Sequence, residues 1–380
     1  MIELETIKLG TKEVMLFKKN TLLEEVVENM EHMVRVMDSD DNVVYMNKKM
    51  RLEFGDFTHK KCYELLGREG CCLDCVSGIC RQSGKAESKS VSYGERYYKI
   101  IASPVMLNKS ICYAIELFQD ITVEHEREKE IKNQYQKMKG DIEFAKQIQR
   151  SSLPLSGNYW EVIDFESAYL PSEDLGGDMF DLMKMDEDTI LIYIADISGH
   201  GVKSSLLTMF LRQVIRGMRS MTKSLEAILN EIIKSYNELN LGDEQYFSLL
   251  IGLYSIEHKE WQFVNAGHNC LPILIRTGGE IQEIKVTGMP ICSLLKKAKH
   301  EEKRVKVSTG DKLLFYTDGI TEAISDQSRA CFGEERLVSI LENNSDKKSS
   351  FIVNEIIEKV EAFTGKDLLD DAAVFITEIL

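Results

Sequence analysis

Proline is scarce in this 380-residue chain, with 5 residues, and 24 glycines are spread without a period, which excludes collagen-like and long disordered low-complexity architectures. No apolar run approaches the roughly 18 residues of a membrane span, and 189–197 and 248–254, the most apolar stretches, have the length of buried strands. The start, MIELETIKLG, lacks the basic and then apolar pattern of a secretory leader, so the cytoplasm is the expected compartment. Positive charge is also in deficit: 47 Lys+Arg against 62 Asp+Glu give a net charge of −15, which argues against nucleic acid or an anionic membrane as partner.

What is present is enough apolar sequence, 43%, for two or three ordinary domains. Residues 1–122 read as a small α+β domain. Within it, MVRVMDSDDNVVYMN places a polar turn, Asp38–Asn42, between two strands, and runs at 97–103 and 110–118 are joined across 104–108. From 123 to 153 the composition shifts to Glu, Lys and Gln. Ile131, Tyr135, Met138, Ile142 and Ala145 then recur at steps of 4, 3, 4 and 3, the seam of a short coiled coil or of one amphipathic helix. From 154 to 380, strands are expected at 165–169, 189–195, 246–256, 261–266, 272–276, 312–316 and 372–378, with hairpin turns at 257–260 and 277–279. Helices are expected at 202–221, 224–239, 334–343 and 349–363. Hairpin-linked strands with helices in separate blocks predict antiparallel sheets covered by helices, an α+β fold.

Four acidic clusters stand at strand ends of this larger domain: Gly176-Gly177-Asp178, Ala195-Asp196-Ile197, Thr317-Asp318-Gly319 and Asp370-Asp371. Any single aspartate of this kind is ordinarily a turn former or helix cap. Four that converge would repel one another unless hard cations such as Mg²⁺ or Mn²⁺ were shared among them. Cys62, Cys71, Cys72, Cys75 and Cys80 crowd into the smaller domain, where four thiolates could bind Zn²⁺ or an iron–sulfur cluster, although the spacing matches neither a paired CxxC site nor a ferredoxin run.

The motifs PSEDLGGDMFD, ADISGHG, NAGHN, YTDGITEA and DDAAV, in this order over residues 141–380, resemble the PPM-type metal-dependent serine/threonine phosphatases, in the bacterial branch similar to SpoIIE and RsbU. The resemblance implies an α-β-β-α sandwich and a two-metal centre of Mn²⁺ or Mg²⁺ held by Asp178, Asp196, Asp318 and Asp370 or Asp371, with the Ile197 carbonyl as a further ligand. It makes His200 a candidate proton donor to the leaving group, whereas His268 in NAGHN reads as a structural residue that fixes a hairpin turn. The implied substrate is a phosphoserine or phosphothreonine on a regulatory protein, an anti-sigma-factor antagonist of the STAS type. VMDSDDNVVYMN and the later FQDITVEHE resemble the two ends of a PAS sensory domain, which implies a homodimer through that domain and the linker helix. Two rivals are a non-catalytic PAS scaffold with a phosphatase-like binding domain and a diguanylate cyclase. The cyclase rests on Gly176–Phe180, one residue from the GGDEF signature, but leaves the TDG and DDAAV motifs without a place.

Overall fold

The computed structural model describes residues 22–107, 110–219, 224–241, 245–297, 301–326, 328–365 and 368–380. The chain forms two compact units, Met1–Gln136 and Lys137–Leu380.

In the first unit, β1 (Met33–Met37), β2 (Val43–Met46), β3 (Glu87–Tyr93), β4 (Arg96–Leu107) and β5 (Ser110–Asp120) make one antiparallel sheet in the order β2-β1-β5-β4-β3. Helices α1 (Lys48–Phe54) and α2 (Val76–Ser83) contribute Met50, Val76 and Cys80 to the core, together with Met37, Ile100 and Phe118 of the sheet. The Asp38 carboxylate closes the expected polar turn by accepting from the Asp40 and Asn42 amides, both at 2.9 Å. Asn47 fastens the next corner: its Oδ1 accepts from Val34 and Met50, both at 3.0 Å, which caps α1. The expected connection at 104–108 differs from what forms, since β4 runs through Pro104, which pairs with Ala114, and on to Leu107. Proline is tolerated there because β3 pairs only as far as Ala102 on the other side, so no ladder donor is lost. Positions 108–109 lie outside the described residues.

Helix α3 (Thr122–Ser152) is a single 31-residue element. Ile131, Tyr135 and Met138 of the apolar repeat are exposed on it, whereas Ile142 and Ala145 are half-buried.

The second unit is built from two six-stranded antiparallel sheets. The first orders β15 (Lys303–Lys306), β11 (Glu260–Ala266), β10 (Tyr246–Ser255), β9 (Thr189–Ile197) and β8 (Asp178–Lys184), with β14 (Ile291–Cys292) on β10. The second orders β13 (Ile281–Glu283), β12 (Ile273–Ile275), β16 (Lys312–Tyr316), β17 (Ala372–Ile379), β7 (Ile163–Leu170) and β6 (Gly157–Tyr159). Strand periodicity divides the apolar residues into three cores. Odd-numbered residues of β8 and β9, such as Met179, Met183, Leu191 and Tyr193, pack under α4 (Val202–Gly217) and α5 (Leu225–Glu238). Even-numbered ones, such as Phe180, Leu182, Ile192 and Ile194, meet Phe165, Leu313, Phe315 and Phe375 between the sheets. Leu314, Tyr316, Val374 and Ile376 turn the other way, towards α7 (Glu334–Asn344) and α8 (Ser349–Thr364). The result is the expected helix–sheet–sheet–helix sandwich.

Strand β8 was not expected as a strand. Residues 178–183 are all buried, so the alternation that would mark a half-exposed strand is absent. Strands β6, β13, β14 and β15, of two to four residues, are too short to show a period. Both expected hairpins form, β10–β11 and β12–β13. Phe375 centres the inter-sheet core, with ring centroids 4.7 Å from Phe315, 5.2 Å from Phe180 and 5.3 Å from Phe165. Phe375→Ala is expected to destabilise the second unit by about 3–5 kcal/mol, read from its urea unfolding transition in the full chain.

Candidate active site

The acidic motifs meet at one end of the inter-sheet space for a reason of register. Asp178 opens β8 and Asp196 lies near the close of β9, and the antiparallel ladder sets them directly opposite each other. Both have even numbers, so both share the inner face with Phe180 and Ile194. In the other sheet β16 ends and β17 begins at the same edge, bringing Asp318, at the start of α6 (Asp318–Thr321), and Asp370-Asp371 to it. Thr317 ties the sheets together there. Its Oγ1 donates to Asp178 Oδ2 at 2.6 Å and accepts from the Ala373 amide at 2.8 Å.

Two glycines permit this closeness. A Cβ on Gly177 would lie 2.6 Å from the Ile197 carbonyl oxygen, and one on Gly319 would collide with the Asp371 carbonyl. The neighbouring aspartates divide their work. Asp371 is buried and its carboxylate is occupied, accepting from the Ser172 amide and hydroxyl at 2.7 and 3.0 Å and from the Gly177 amide at 2.5 Å. Asp370 is exposed and accepts from the Asp371 amide at 2.8 Å.

Burial first, and then the neighbouring Asp196, push the Asp178 carboxyl well above its ordinary range. Asp196 is raised to about 7 by burial, followed by Asp318, Asp370, Asp371 and Glu322. Asp318 is raised by burial and then by Asp370 and Glu322. The strong electrostatic neighbours of Asp196 are thus all carboxylates. The contrast on the same strand is sharp, because Asp181, equally buried at 2% exposure, faces α4 and is paired with Arg216 at 2.7 Å and Arg212 at 3.2 Å.

Among the described residues no three His, Cys, Asp or Glu side chains are already gathered closely enough to hold a metal ion. The donor chemistry nevertheless fits one: oxygen-only, graded from buried Asp178 to exposed Asp370, and without the arginine partners given to Asp181 among the described residues. Asp178, Asp196, Asp318 and Asp370 are the residues with carboxylate oxygens to offer, beside the Ile197 carbonyl. Exposed Glu322 adds a further negative charge beside Asp196 and Asp318 and was missed in the sequence. It stands four residues after Asp318 in T-D-G-I-T-E, one helical turn on, and that spacing could have marked it. Beside Asp196 and Asp318 opens a cavity of about 300 Å³ lined also by Ser248, His268, Asn269 and Pro290.

His200 is not among the cavity residues. Its ring is largely exposed, with Nδ1 2.9 Å from Glu173 Oε1. His268 is buried in the loop after β11, where its amide donates to Asn265 Oδ1 at 2.7 Å and its carbonyl accepts from Asn265 Nδ2 at 2.8 Å. Among the described residues the cysteines of the first unit are not gathered into the Zn²⁺ or iron–sulfur cage that the sequence left open beside simple packing thiols. Cys62 and Cys80 are seated in the hydrophobic core, where burial pushes the Cys62 thiol up to about 12. Cys75 caps α2, accepting from the Gly78 amide at 3.4 Å; Cys71 faces Asp41 Oδ2 at 3.7 Å and Cys72 faces Arg68 Nη1 at 3.1 Å.

The family model described as Stage II sporulation protein E (SpoIIE) matches residues 186–380, just over half of the chain and three of the four acidic motifs. The chain belongs to the SpoIIE family. The SpoIIE match is joined by likeness to phosphoserine phosphatase RsbP of Bacillus subtilis (strain 168), 24% identical over 228 residues, or 59% of this chain and 53% of that protein. Phosphoserine phosphatase RsbU of the same organism is 17% identical over 267 residues, covering 70% and 78%. The chain therefore spans about half the length of RsbP. Among solved structures, the SiaA-PP2C domain of Pseudomonas aeruginosa shares the fold, with TM-score 0.57 and 21% identity over 64% of this chain and 98% of that one. Among the described residues, no helix is long and apolar enough to cross a membrane.

The charge cluster makes a pH prediction. Because the folded-state pKa of Asp196 is raised from 3.8 to about 7, the folded protein holds a proton that the unfolded chain releases. Stability of the metal-free protein is expected to fall as pH rises from about 4 to about 7, by at most about 1.4 kcal/mol per unit from this group. Millimolar Mn²⁺ should reverse the trend, as followed by thermal unfolding across that range.

Proposed function

We propose that the chain is a metal-dependent protein serine/threonine phosphatase, and the observation that carries this reading is the convergence of buried Asp178 with half-buried Asp196 and Asp318 and exposed Asp370, with no arginine among the causes that shift the first three. When bound there, two Mg²⁺ or Mn²⁺ ions would supply the positive charge that activates water and offsets the phosphoryl oxygens. The protein's own part is to fix the carboxylates. Thr317 orients Asp178, Asp371 fastens the segment from Ser172 to Gly177, and the cavity beside Asp196 leaves room for a phosphorylated side chain. Among the described residues no Lys or Arg lines that cavity, so the phosphate would depend on the ions for its counter-charge. Asp370 rather than Asp371 is the ligand in this reading, because the lone pairs of Asp371 are already committed to backbone and hydroxyl donors. His200 has no place in the chemistry proposed, since Glu173 holds it at the surface.

The substrate is a phosphoserine or phosphothreonine on a signalling protein of the STAS type. Support comes from family membership and from the phosphoserine phosphatases RsbP and RsbU among the relatives. The first unit acts as a PAS-like sensor, consistent with its single antiparallel sheet and the exit from Asp120 into α3. The exposed Ile131, Tyr135 and Met138 suit a homodimer through that helix. Regulation reaches the site through Gln149. Buried on α3, it clasps Gly176 from both sides, donating to its carbonyl at 2.7 Å and accepting from its amide at 3.2 Å, two residues from Asp178.

Mn²⁺-dependent release of phosphate from a phosphoserine protein tests the reading. Asp196→Asn should lower kcat at least about a hundredfold while leaving the fold intact. Equal turnover by the two proteins would defeat it. Gln149→Ala should raise the Mn²⁺ concentration needed for half-maximal activity about tenfold, in the range of outer-sphere substitutions around metal sites.

A further inference from the structure

His268 and Ser248 form a pair that the carboxylate cluster does not account for. His268 is 4% exposed, yet both ring nitrogens are engaged: Nδ1 lies 2.9 Å from Ser248 Oγ and Nε2 lies 3.1 Å from the Tyr316 carbonyl oxygen. A carbonyl can only accept, so Nε2 carries the proton. Among the described residues its ring hydrogen-bonds no carboxylate, and burial opposes charge, so the ring is neutral and Nδ1 is bare. The bond to Ser248 therefore runs one way, the hydroxyl donating to Nδ1.

That direction has a consequence at the site. Ser248 stands directly opposite Asp196 in the β9–β10 ladder and on the same face, a spacing of roughly 5 Å between Cβ atoms for such pairs, and both line the cavity. A free serine in that position would turn its proton to the carboxylate. Here the proton is drawn to His268, so Ser248 presents only lone pairs beside Asp196. With Asp196 ionised, as it would be beside bound cations, two acceptors stand side by side and are reconciled by a donor between them, and the smallest donor able to serve both is water, one proton to each.

We propose that Ser248, oriented by His268, is a positioning residue that accepts a hydrogen bond from a water molecule beside Asp196 and so fixes the attitude of the water that attacks the phosphoryl group. The proposal rests on the phosphatase reading and adds to it a residue pair outside the acidic motifs. It also gives the NAGHN histidine a task beyond shaping its loop, since the Tyr316 carbonyl sets its tautomer and the tautomer sets the serine.

The test uses the full chain and an isosteric pair, Ser248→Thr and Ser248→Val, which differ in the hydroxyl and not in volume. With Mn²⁺ and a phosphoserine protein, Ser248→Val is expected to lose about tenfold or more in kcat with KM within about twofold, and Ser248→Thr to stay within about threefold of the wild type. A second readout is independent of turnover and survives a Val variant that fails to fold. Nitrogen NMR of the metal-free wild type should show the His268 Nε2–H tautomer, and the Nδ1 resonance should shift in Ser248→Val while holding in Ser248→Thr. An Nδ1–H tautomer overturns the proposal, as does a Val variant with wild-type kcat or one whose loss lies wholly in KM. Wild-type turnover combined with any of those outcomes overturns this proposal alone, whereas a wild type without hydrolysis overturns the phosphatase reading and the water's role with it.

Discussion

Asp178 and Asp196 face each other on neighbouring strands in an interior that withholds positive charge from them, and the rest of the second unit is arranged around that tension. Elsewhere the protein treats buried carboxylates conventionally: Asp181 meets Arg212 and Arg216, Asp311 meets Arg276 at 2.8 Å, and Glu116 meets Arg35 at 2.6 Å. Each such pair recovers part of the desolvation cost of its ions. Among the described residues the cluster at the end of the sandwich has no such arginine partner, and burial and mutual repulsion push the Asp178, Asp196 and Asp318 carboxyls above their ordinary range. One strand, β8, carries both solutions three residues apart and on opposite faces.

Rigidity is what keeps such a cluster from relaxing apart. The phenylalanines between the sheets fix the sheet separation, and the Thr317 hydroxyl stitches the two sheets at the acidic edge. Asp371 anchors the approach to Asp178, and Gln149 grips the adjacent Gly176 from the helix side. The site is thus held by groups that do not themselves offer a free ligand atom, the usual division of labour around a reactive centre.

Much of the second unit was legible in the sequence because its strands are bounded by turn formers and its helices carry clean apolar stripes. The acidic motifs were legible because each joins an aspartate to a small residue at a strand end. Strand β8 was hidden by burial on both faces, and Glu322 by the brevity of the four-residue helix that it follows. The cysteines stayed ambiguous for a related reason: spacing along the chain does not reveal that Cys62 and Cys80 point into a hydrophobic core.

Sequence alone determined the identity and order of the acidic motifs, the class of fold they sit in and the excess of negative charge, since these follow from local periodicity and composition. Tertiary structure decided which aspartates face one another, that Asp371 is a buried fastener while Asp370 is exposed, that His200 pairs with Glu173, and that His268 meets Ser248. Those outcomes depend on strand register and on hydrogen-bond direction. Both are set by contacts between residues far apart in the chain, and no local pattern encodes them.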